Sequence, residues 1–149
     1  VFNIYPWQAD RSISKWEGKK SAKKIERLQK IATEASEQSH RNHEVQVKDL
    51  VSTKQLLALS DKYDHILVAY EESAKAGETS RLASIFTQLE EGARILMIFG
   101  PEGGISEKEI ELFETLDNMS LVGLGNRILR TETAPLFALS ALVYEMELR

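Results

Sequence analysis

Cysteine is absent from this sequence, so disulfide bridges and every metal site built on thiolates are excluded. The absence fits a reducing cytoplasm, which is where we expect the protein to act. Long apolar runs are also missing, because the longest uninterrupted one, Ile95–Phe99, is far too short to cross a bilayer. No secretory signal is visible, and we expect no membrane partner.

The signatures of phosphate-binding loops and of serine hydrolases are missing as well. The sequence contains no GxxxxGK[ST], no GxGxxG and no GxSxG. Their absence argues against ATP, GTP, the dinucleotides and a nucleophilic serine. His40 and His43 form an H-x-x-H pair without an obvious third ligand, so we expect no metal.

The charge is uneven along the chain. The net charge is −4, but residues 1–50 hold ten Lys/Arg against seven Asp/Glu, whereas residues 51–149 hold nine against sixteen. A basic first third suits a polyanionic partner, and a solvated helix face explains it equally well.

The apolar pattern predicts one domain of the α/β class. A chain of 149 residues that is 42% hydrophobic can bury a core. Apolar runs and helical periodicity alternate, which predicts a mostly parallel sheet flanked by helices. The predicted strands are 1–7, 44–47, 65–70, 94–99 and 121–124, and the predicted helices are 21–39, 54–59, 78–90, 106–116 and 134–148.

The loop GPEGG (100–104) follows a predicted buried strand, where ligands of open α/β sheets bind. Gly103 and Gly104 can adopt a positive φ and let a ligand approach the backbone. Glu102 would repel a phosphate, so a ligand without phosphate, such as S-adenosylmethionine, fits better. An ordinary turn into the next helix is the alternative, and Ser106 with Glu109 predicts a capping box there.

The second unusual loop, GNRILRTET (125–133), follows the predicted strand LVGL. Arg127 and Arg130 flank two apolar residues that can pack while the arginines point elsewhere. A guanidinium suits a carboxylate, a phosphate or a developing oxyanion. A structural pair between an arginine and Glu132 is the alternative. A third polar cluster, EQSHR (37–41), ends the basic helix and is either functional or a simple helix cap.

These segments together resemble a known family. GPEGG with SEKEI, followed by LGNRILRTETAPLFALSAL, and the upstream helix KKIERLQKIATEASEQSHR are similar to motifs of the methyltransferases that modify N3 of a uridine in bacterial small-subunit (16S) ribosomal RNA. The two loops at this spacing are specific, whereas neither loop alone would be. The resemblance covers nearly all of 1–149.

The resemblance implies a SPOUT-type fold with a C-terminal trefoil knot, a homodimer and S-adenosyl-L-methionine as cofactor. Because N3 of uracil must lose a proton, we expect Arg130, helped by Arg127 or Arg41, to stabilise the charge on the base, and Glu102 to be a base, a positioning group or a buried structural carboxylate. Thr133 is expected to cap the last helix. The implied cofactor pocket comprises Phe99, Gly100, Gly103, Gly104, Leu124, Gly125, Ile128, Leu129, Arg130, Thr131, Glu132, Thr133 and Ala134.

The chain departs from the family pattern at its beginning. Family members carry an N-terminal RNA-binding β-barrel domain and then a first strand and helix of the methyltransferase domain, and we expect 1–149 to lack both. Two other functions stay open: a related knotted methyltransferase with another RNA target, and a non-catalytic dimerising RNA-binding module. The last predicted helix is apolar on more than one side, which indicates deep core or a partner interface.

Overall fold

The structure is a computed structural model that describes all residues from Val1 to Arg149. The chain forms two compact units, one made of residues 1–9 and 14–56 and the other of residues 10–13 and 57–149. The first unit holds a two-stranded sheet and the second a three-stranded sheet, and all strand pairs in both are parallel. The prediction of an α/β fold with parallel strands and helices is therefore confirmed.

The first unit joins a long helix to a short parallel sheet. Its elements are β1 (Asn3–Ile4), α1 (Gly18–Gln38) and β2 (Gln46–Val47), and α2 (Thr53–Ala58) begins in this unit. The side-chain amide of Gln29 on α1 donates to the carbonyl of Val45 at 3.0 Å and accepts from the N–H of Val47 at 2.7 Å. A helix side chain thus satisfies backbone groups of β2 and of the residue before it, which would otherwise need another partner.

The end of α1 explains the cluster EQSHR. His40 has a φ of 52°, its N–H donates to the carbonyl of Glu37 at 3.1 Å, and the N–H of Arg41 donates to the carbonyl of Ser36 at 3.0 Å. These two bonds around a left-handed residue form a Schellman motif. The structure therefore supports the helix-cap interpretation of this segment.

The second unit is built on a parallel sheet in the order β4-β3-β5. In β3 (His65–Ala69), residue Ala69 lies beside Phe99 of β4 (Ile95–Phe99) and Val122 of β5 (Met119–Val122), so the three strands end at one edge. The remaining elements are a 3-10 turn (Ser60–Lys62), α3 (Glu71–Lys75), α4 (Arg81–Thr87), α5 (Glu107–Glu114), α6 (Ala134–Val143) and a π-helical turn (Tyr144–Leu148).

The core of the second unit covers both faces of β3, as its continuous apolar run predicts. Leu67 and Val122 on one face pack with Leu82 and Phe86 of α4, and residues of α6 lie against the same cluster. Ile66, which points to the other face, has no exposed surface. None of the helices combines the length with the apolar character that crossing a bilayer requires.

Three helix predictions differ from the structure. The region predicted as one helix over 78–90 contains only α4, and α3 precedes it, because the chain turns through Gly77 with a φ of 86°. The last helix is α-helical only to Val143. The cap at Thr133 is wrong: its side chain makes no capping bond, since residues 131–133 already form a turn and the backbone of Thr133 is helical, not extended.

Candidate functional site

Three loops at the carboxyl edge of the three-stranded sheet enclose a cavity of about 830 Å³. The loops follow β3, β4 and β5, and Arg11 from the segment 10–13 completes the lining. Ligands of open α/β sheets bind at this edge, and the volume lies within the range of roughly 300–1,000 Å³ that is usual for small-molecule sites. This cavity is the candidate functional site.

The GPEGG turn is held in a tight conformation by its own backbone. The N–H of Gly104 donates to the carbonyl of Pro101 at 2.8 Å, and Gly104 has a φ of 78°. A Cβ on Gly100 would lie 2.6 Å from Cγ1 of Ile105, so the bare backbone is required there too. Of the two glycines predicted to have a positive φ, Gly104 does and Gly103 does not.

The capping box after this turn is confirmed. The hydroxyl of Ser106 accepts from the N–H of Glu109 at 3.2 Å, and Oε2 of Glu109 accepts from the N–H of Ser106 at 2.9 Å. Glu109 is only 1% exposed although it is an acidic residue. The capping box thus fixes the start of α5, and with it the end of the loop that lines the cavity.

The segment 10–13 braces the same turn. Oε1 of Glu109 accepts from the N–H of Asp10 at 2.7 Å, and a carboxylate oxygen of Asp10 accepts from the hydroxyl of Ser106 at 2.8 Å. The guanidinium of Arg11 donates to the carbonyl of Gly103 at 3.2 Å. A single buried carboxylate therefore ties a distant segment, the capping residue and the cavity turn together.

The loop before α6 is fixed through backbone bonds at Arg130. Its carbonyl accepts from the N–H groups of Thr133 and Ala134 at 2.9 and 3.0 Å. Its side chain is 85% exposed and lies 3.9 Å from a carboxylate oxygen of Glu132, a weak ion pair in solvent. The backbone is thus held while the guanidinium stays available.

The apolar residues between the two arginines do not both pack. Ile128 is 78% exposed, whereas Leu129 is half-buried. Of the two apolar residues that can pack, only Leu129 is substantially covered, although Ile128 also lines the cavity.

Glu78 lies between α3 and α4 and ties this connection to the end of β5. One of its carboxylate oxygens accepts from the N–H groups of Ser80 and Arg81 at 3.0 and 2.6 Å, and the other accepts from the N–H of Gly123 at 3.0 Å. Burial acts to raise the pKa of Glu78, but the three backbone donors, together with the charge of Arg81, lower it below its usual value. A Cβ on Gly123 would lie 2.5 Å from the carbonyl oxygen of Glu78, so the contact requires glycine.

The depressed pKa of Glu78 predicts a loss of stability in acid. Above the ordinary glutamate value of 4.5 the carboxylate is ionised in both states and its bonds stabilise the fold; as the pH falls through the lower folded pKa, that contribution is lost. We expect Glu78→Gln to lower the free energy of unfolding by about 1 kcal/mol at neutral pH, allowing for the solvent around this group. Urea unfolding from pH 7 down to pH 3 checks this, and curves for the variant and the parent that keep a constant separation would contradict it.

The charges around the cavity nearly balance. Four basic side chains face five acidic ones: Arg11, Lys75, Arg127 and Arg130 against Glu71, Glu72, Glu102, Glu107 and Glu132. Lys75 is already paired with both glutamates of α3, at 3.2 and 2.8 Å. The excess of one acidic side chain favours a neutral or positively charged ligand over one that carries several negative charges.

Comparison with known proteins places these features in a family. Residues 1–143 match the family model described as RNA methyltransferase domain. The chain belongs to this family.

Individual proteins are similar to the chain over nearly its whole length. The chain is 51% identical over 143 residues to the ribosomal RNA small subunit methyltransferase E of Bacillus subtilis, covering 96% of this chain and 56% of that protein. A solved structure described only as that of a hypothetical protein superposes with a TM-score of 0.87 at 46% identity, covering 97% of this chain and 55% of the other. The chain thus spans about half the length of the curated relatives it matches.

A structure with a bound ligand adds to this comparison. The ribosomal RNA small subunit methyltransferase E of Neisseria gonorrhoeae, bound to S-adenosyl methionine, matches with a TM-score of 0.75 at 30% identity. The match covers 96% of this chain and 54% of that one.

The cavity of this chain brings together most of the residues that the sequence predicted for its catalytic and cofactor site. Those that line it are Phe99, Gly100, Glu102, Gly103, Gly104, Leu124, Arg127, Ile128, Leu129, Arg130, Thr131, Glu132 and Ala134. Gly125 and Thr133 belong to the same loop but do not line the cavity. Arg41 lies in the first unit, where its guanidinium donates to the carbonyls of Val1 and His43 at 3.0 and 3.4 Å. The roles of all these residues stay predictions.

Sequence reasoning missed two parts of the site, Arg11 and the loop with α3. The second had a signal, because three parallel strands end at one edge and the loop after HILVAY must therefore lie beside the other two. The i, i+4 spacing of Glu71 and Lys75 also indicates a helical turn. No local pattern in the sequence indicated Arg11, since its contact with Gly103 joins residues that are 92 positions apart.

Proposed function

We propose that this chain carries the S-adenosylmethionine-dependent methyltransferase activity of its family, acting on N3 of a uridine in small-subunit ribosomal RNA. The observation that carries the proposal is the cavity at the carboxyl edge, which is lined both by the glycine-rich turn 100–104 and by the loop that holds Arg127 and Arg130. The name of the Bacillus subtilis relative and the cofactor bound to the Neisseria gonorrhoeae relative support the substrate and the cofactor. The position N3 rests on the family resemblance.

The residues of the cavity fit this cofactor. S-adenosylmethionine brings an electrophilic methyl group on a positively charged sulfur and carries no phosphate. The excess of carboxylates suits the positive charge, and Phe99, Leu124 and Leu129 offer apolar surface for an adenine ring. Gly100 lines the cavity without a side chain, so a ligand can approach its backbone.

The arginines of the second loop meet the demand of the reaction. N3 of uracil must lose its proton before it can attack, and negative charge then develops on the two ring oxygens. A guanidinium at Arg130 or Arg127 would donate hydrogen bonds to such an oxygen and favour the ionised base. Arg130 is the first choice because its carbonyl accepts two backbone N–H groups, those of Thr133 and Ala134, which fixes its position at the start of α6.

Glu102 is the candidate proton acceptor or positioning group in the first loop. Its carboxylate is exposed and lines the cavity, so the alternative of a buried structural carboxylate does not apply to Glu102. That role belongs to Glu109. An exposed carboxylate within the cavity can take a proton from a nucleotide that enters it and pass it to water.

The proposal includes the remaining family properties. These are a trefoil knot near the C-terminus, a homodimer, and a whole protein in which a barrel domain and a first strand and helix precede 1–149. The knot and the barrel domain rest on the resemblance. The greater length of the relatives also supports the barrel domain. The homodimer has support in the exposed apolar side chains of α6.

We expect S-adenosylhomocysteine to bind this chain and ATP not to bind, because the chain has no phosphate-binding loop and Glu102 in the cavity turn would repel a phosphate. Titration calorimetry with the two ligands checks this. Methyl transfer from labelled cofactor to unmodified small-subunit RNA then tests the activity, and digestion with mass spectrometry locates the methyl group. Transfer only to transfer RNA would favour a related methyltransferase, and RNA binding without cofactor binding would favour a non-catalytic module.

The exposed face of α6 predicts a dimer. Leu136, Phe137 and Val143 are 66%, 43% and 42% exposed, which is unusual for apolar residues of one short helix. We expect sedimentation equilibrium at micromolar concentration to give a dimer, and Leu136→Glu to give a monomer, because a charge cannot be buried there. Ile13→Glu, at an exposed isoleucine elsewhere, is the control. A monomeric parent chain would contradict the prediction.

A further inference from the structure

The N-terminal half of α1 concentrates positive charge on one side. Residues 18–30 hold six basic side chains and a single acidic one, in a chain whose net charge is −4. The basic residues are Lys19, Lys20, Lys23, Lys24, Arg27 and Lys30, and all of them are exposed. Their spacings of three and four residues place them on one face, which we call the basic face of α1.

No carboxylate neutralises this face. Every salt bridge in the chain involves Lys75, Arg130 or Arg149, all of which belong to the second unit. Glu26, the one acid of the segment, forms none. The only neighbour that holds a cation is the ring of Trp16, whose centroid lies 5.0 Å from Nζ of Lys24.

The arrangement is unfavourable for the helix by itself. Like charges at i, i+3 and i, i+4 repel each other, and basic residues in the first turn oppose the helix dipole. The first turn of α1 contains no acidic residue, and Glu17 at the N-cap makes no capping bond through its side chain. A surface that weakens its own helix needs another reason, and a bound polyanion supplies one.

The cavity cannot supply the attraction for RNA. Its lining holds one more acid than base, and the rest of the chain is acidic. Within this chain, the basic face of α1 is the positive surface that can attract RNA phosphates. Since an α-helix rises 1.5 Å per residue, the basic face of α1 is about 16 Å long and can meet several phosphates.

We propose that the basic face of α1 binds the phosphate backbone of the substrate RNA. The inference rests on the proposed function for the identity of the polyanion. Contacts of this kind position the RNA and do not read its sequence. The half-buried Trp16 beside Lys24 offers an aromatic edge next to the phosphates.

The test removes three charges from the face and three from elsewhere. The variant is K20Q/K23Q/R27Q, in which glutamine keeps the helix propensity. The matched control is K54Q/K62Q/R94Q, which makes the same change in net charge at exposed residues outside α1. Binding of unmodified small-subunit ribosomal RNA is measured by fluorescence anisotropy from low to physiological salt.

We expect the α1 variant to bind RNA at least about tenfold more weakly at low salt, and the slope of log affinity against log salt to fall by about two to three. The control should change the slope by less than about one. Equal losses in both variants would overturn the proposal, as would unchanged binding in the α1 variant or no RNA binding by the parent chain.

Two further measurements separate this inference from other outcomes. Far-UV circular dichroism and urea unfolding show whether the α1 variant is folded, and titration with S-adenosylhomocysteine shows whether its cavity is intact. If the parent binds RNA through α1 but never transfers a methyl group, the proposed function fails and the surface stands. Loss of binding to anionic lipid vesicles, with RNA binding unchanged, would assign the basic face to membranes and overturn the proposal.

Discussion

Replacing Arg130 by alanine should lower the rate of methyl transfer by roughly a hundred- to a thousandfold, as removal of a single donor to a developing oxyanion does in other enzymes. The affinity for S-adenosylhomocysteine should change by less than about fivefold, because the side chain is 85% exposed and its only ion pair, with Glu132, spans 3.9 Å. The backbone bonds that start α6 use the carbonyl of Arg130 and survive the substitution. The fall should therefore appear in kcat and not in cofactor binding.

Single-turnover kinetics with saturating cofactor and RNA, beside calorimetric titration, check the prediction for Arg130. The kinetics are measured on the whole protein, which includes the proposed barrel domain. Arg94→Ala is the control, since it removes an exposed arginine outside the cavity. Arg130→Lys separates charge from geometry: a lysine keeps the charge but lacks the guanidinium fork, so only part of the rate should return. Equal losses in rate and in cofactor affinity would show that Arg130 serves binding and not the developing charge.

Replacing Glu109 by glutamine should lower the free energy of unfolding by about 2–3 kcal/mol. The carboxylate is 1% exposed and accepts the N–H groups of Asp10 and Ser106, one on each oxygen, at 2.7 and 2.9 Å. Glutamine has a single acceptor oxygen, so its amide NH₂ must face one of these donors and leave it unsatisfied. The cofactor affinity should fall as well, since the same network holds the cavity turn through the segment 10–13.

Thermal unfolding checks the prediction for Glu109, with an expected decrease in Tm of roughly 5–10 °C for a chain of this size. Glu111→Gln on the exposed side of α5 is the matched control and should change stability by less than about 0.5 kcal/mol. If the Glu109 variant unfolds with the parent, the buried carboxylate is not what ties the segment 10–13 to the turn. If it loses stability but keeps full cofactor affinity, the turn holds its shape without the brace.

Local patterns were sufficient for the parts of the site that are continuous in sequence. The capping box at Ser106 could be predicted because its two partners are three residues apart and their bonds are local. A positive φ in the GPEGG turn could be predicted because a tight turn needs one, but only the structure shows that Gly104 and not Gly103 adopts it. The two loops could be placed at one edge because parallel strands bring their carboxyl ends together.

Other parts depend on contacts that no local pattern encodes. Thr133 has the composition of a cap, but the preceding turn gives its backbone a helical conformation and prevents capping. Ile128 is as apolar as Leu129, yet only the path of the loop decides which of the two is covered.

The sequence by itself determined the α/β class, the buried strands and the two loops that line the cavity, because the side-chain pattern and the turn residues act within a few positions of each other. Only the tertiary structure decided that Arg11 joins the cavity, that Glu109 is buried as its brace, and that Glu78 reaches the end of β5. Each of these contacts joins residues more than 40 positions apart. Their formation depends on how the chain closes upon itself, which the order of the amino acids specifies only through the whole fold.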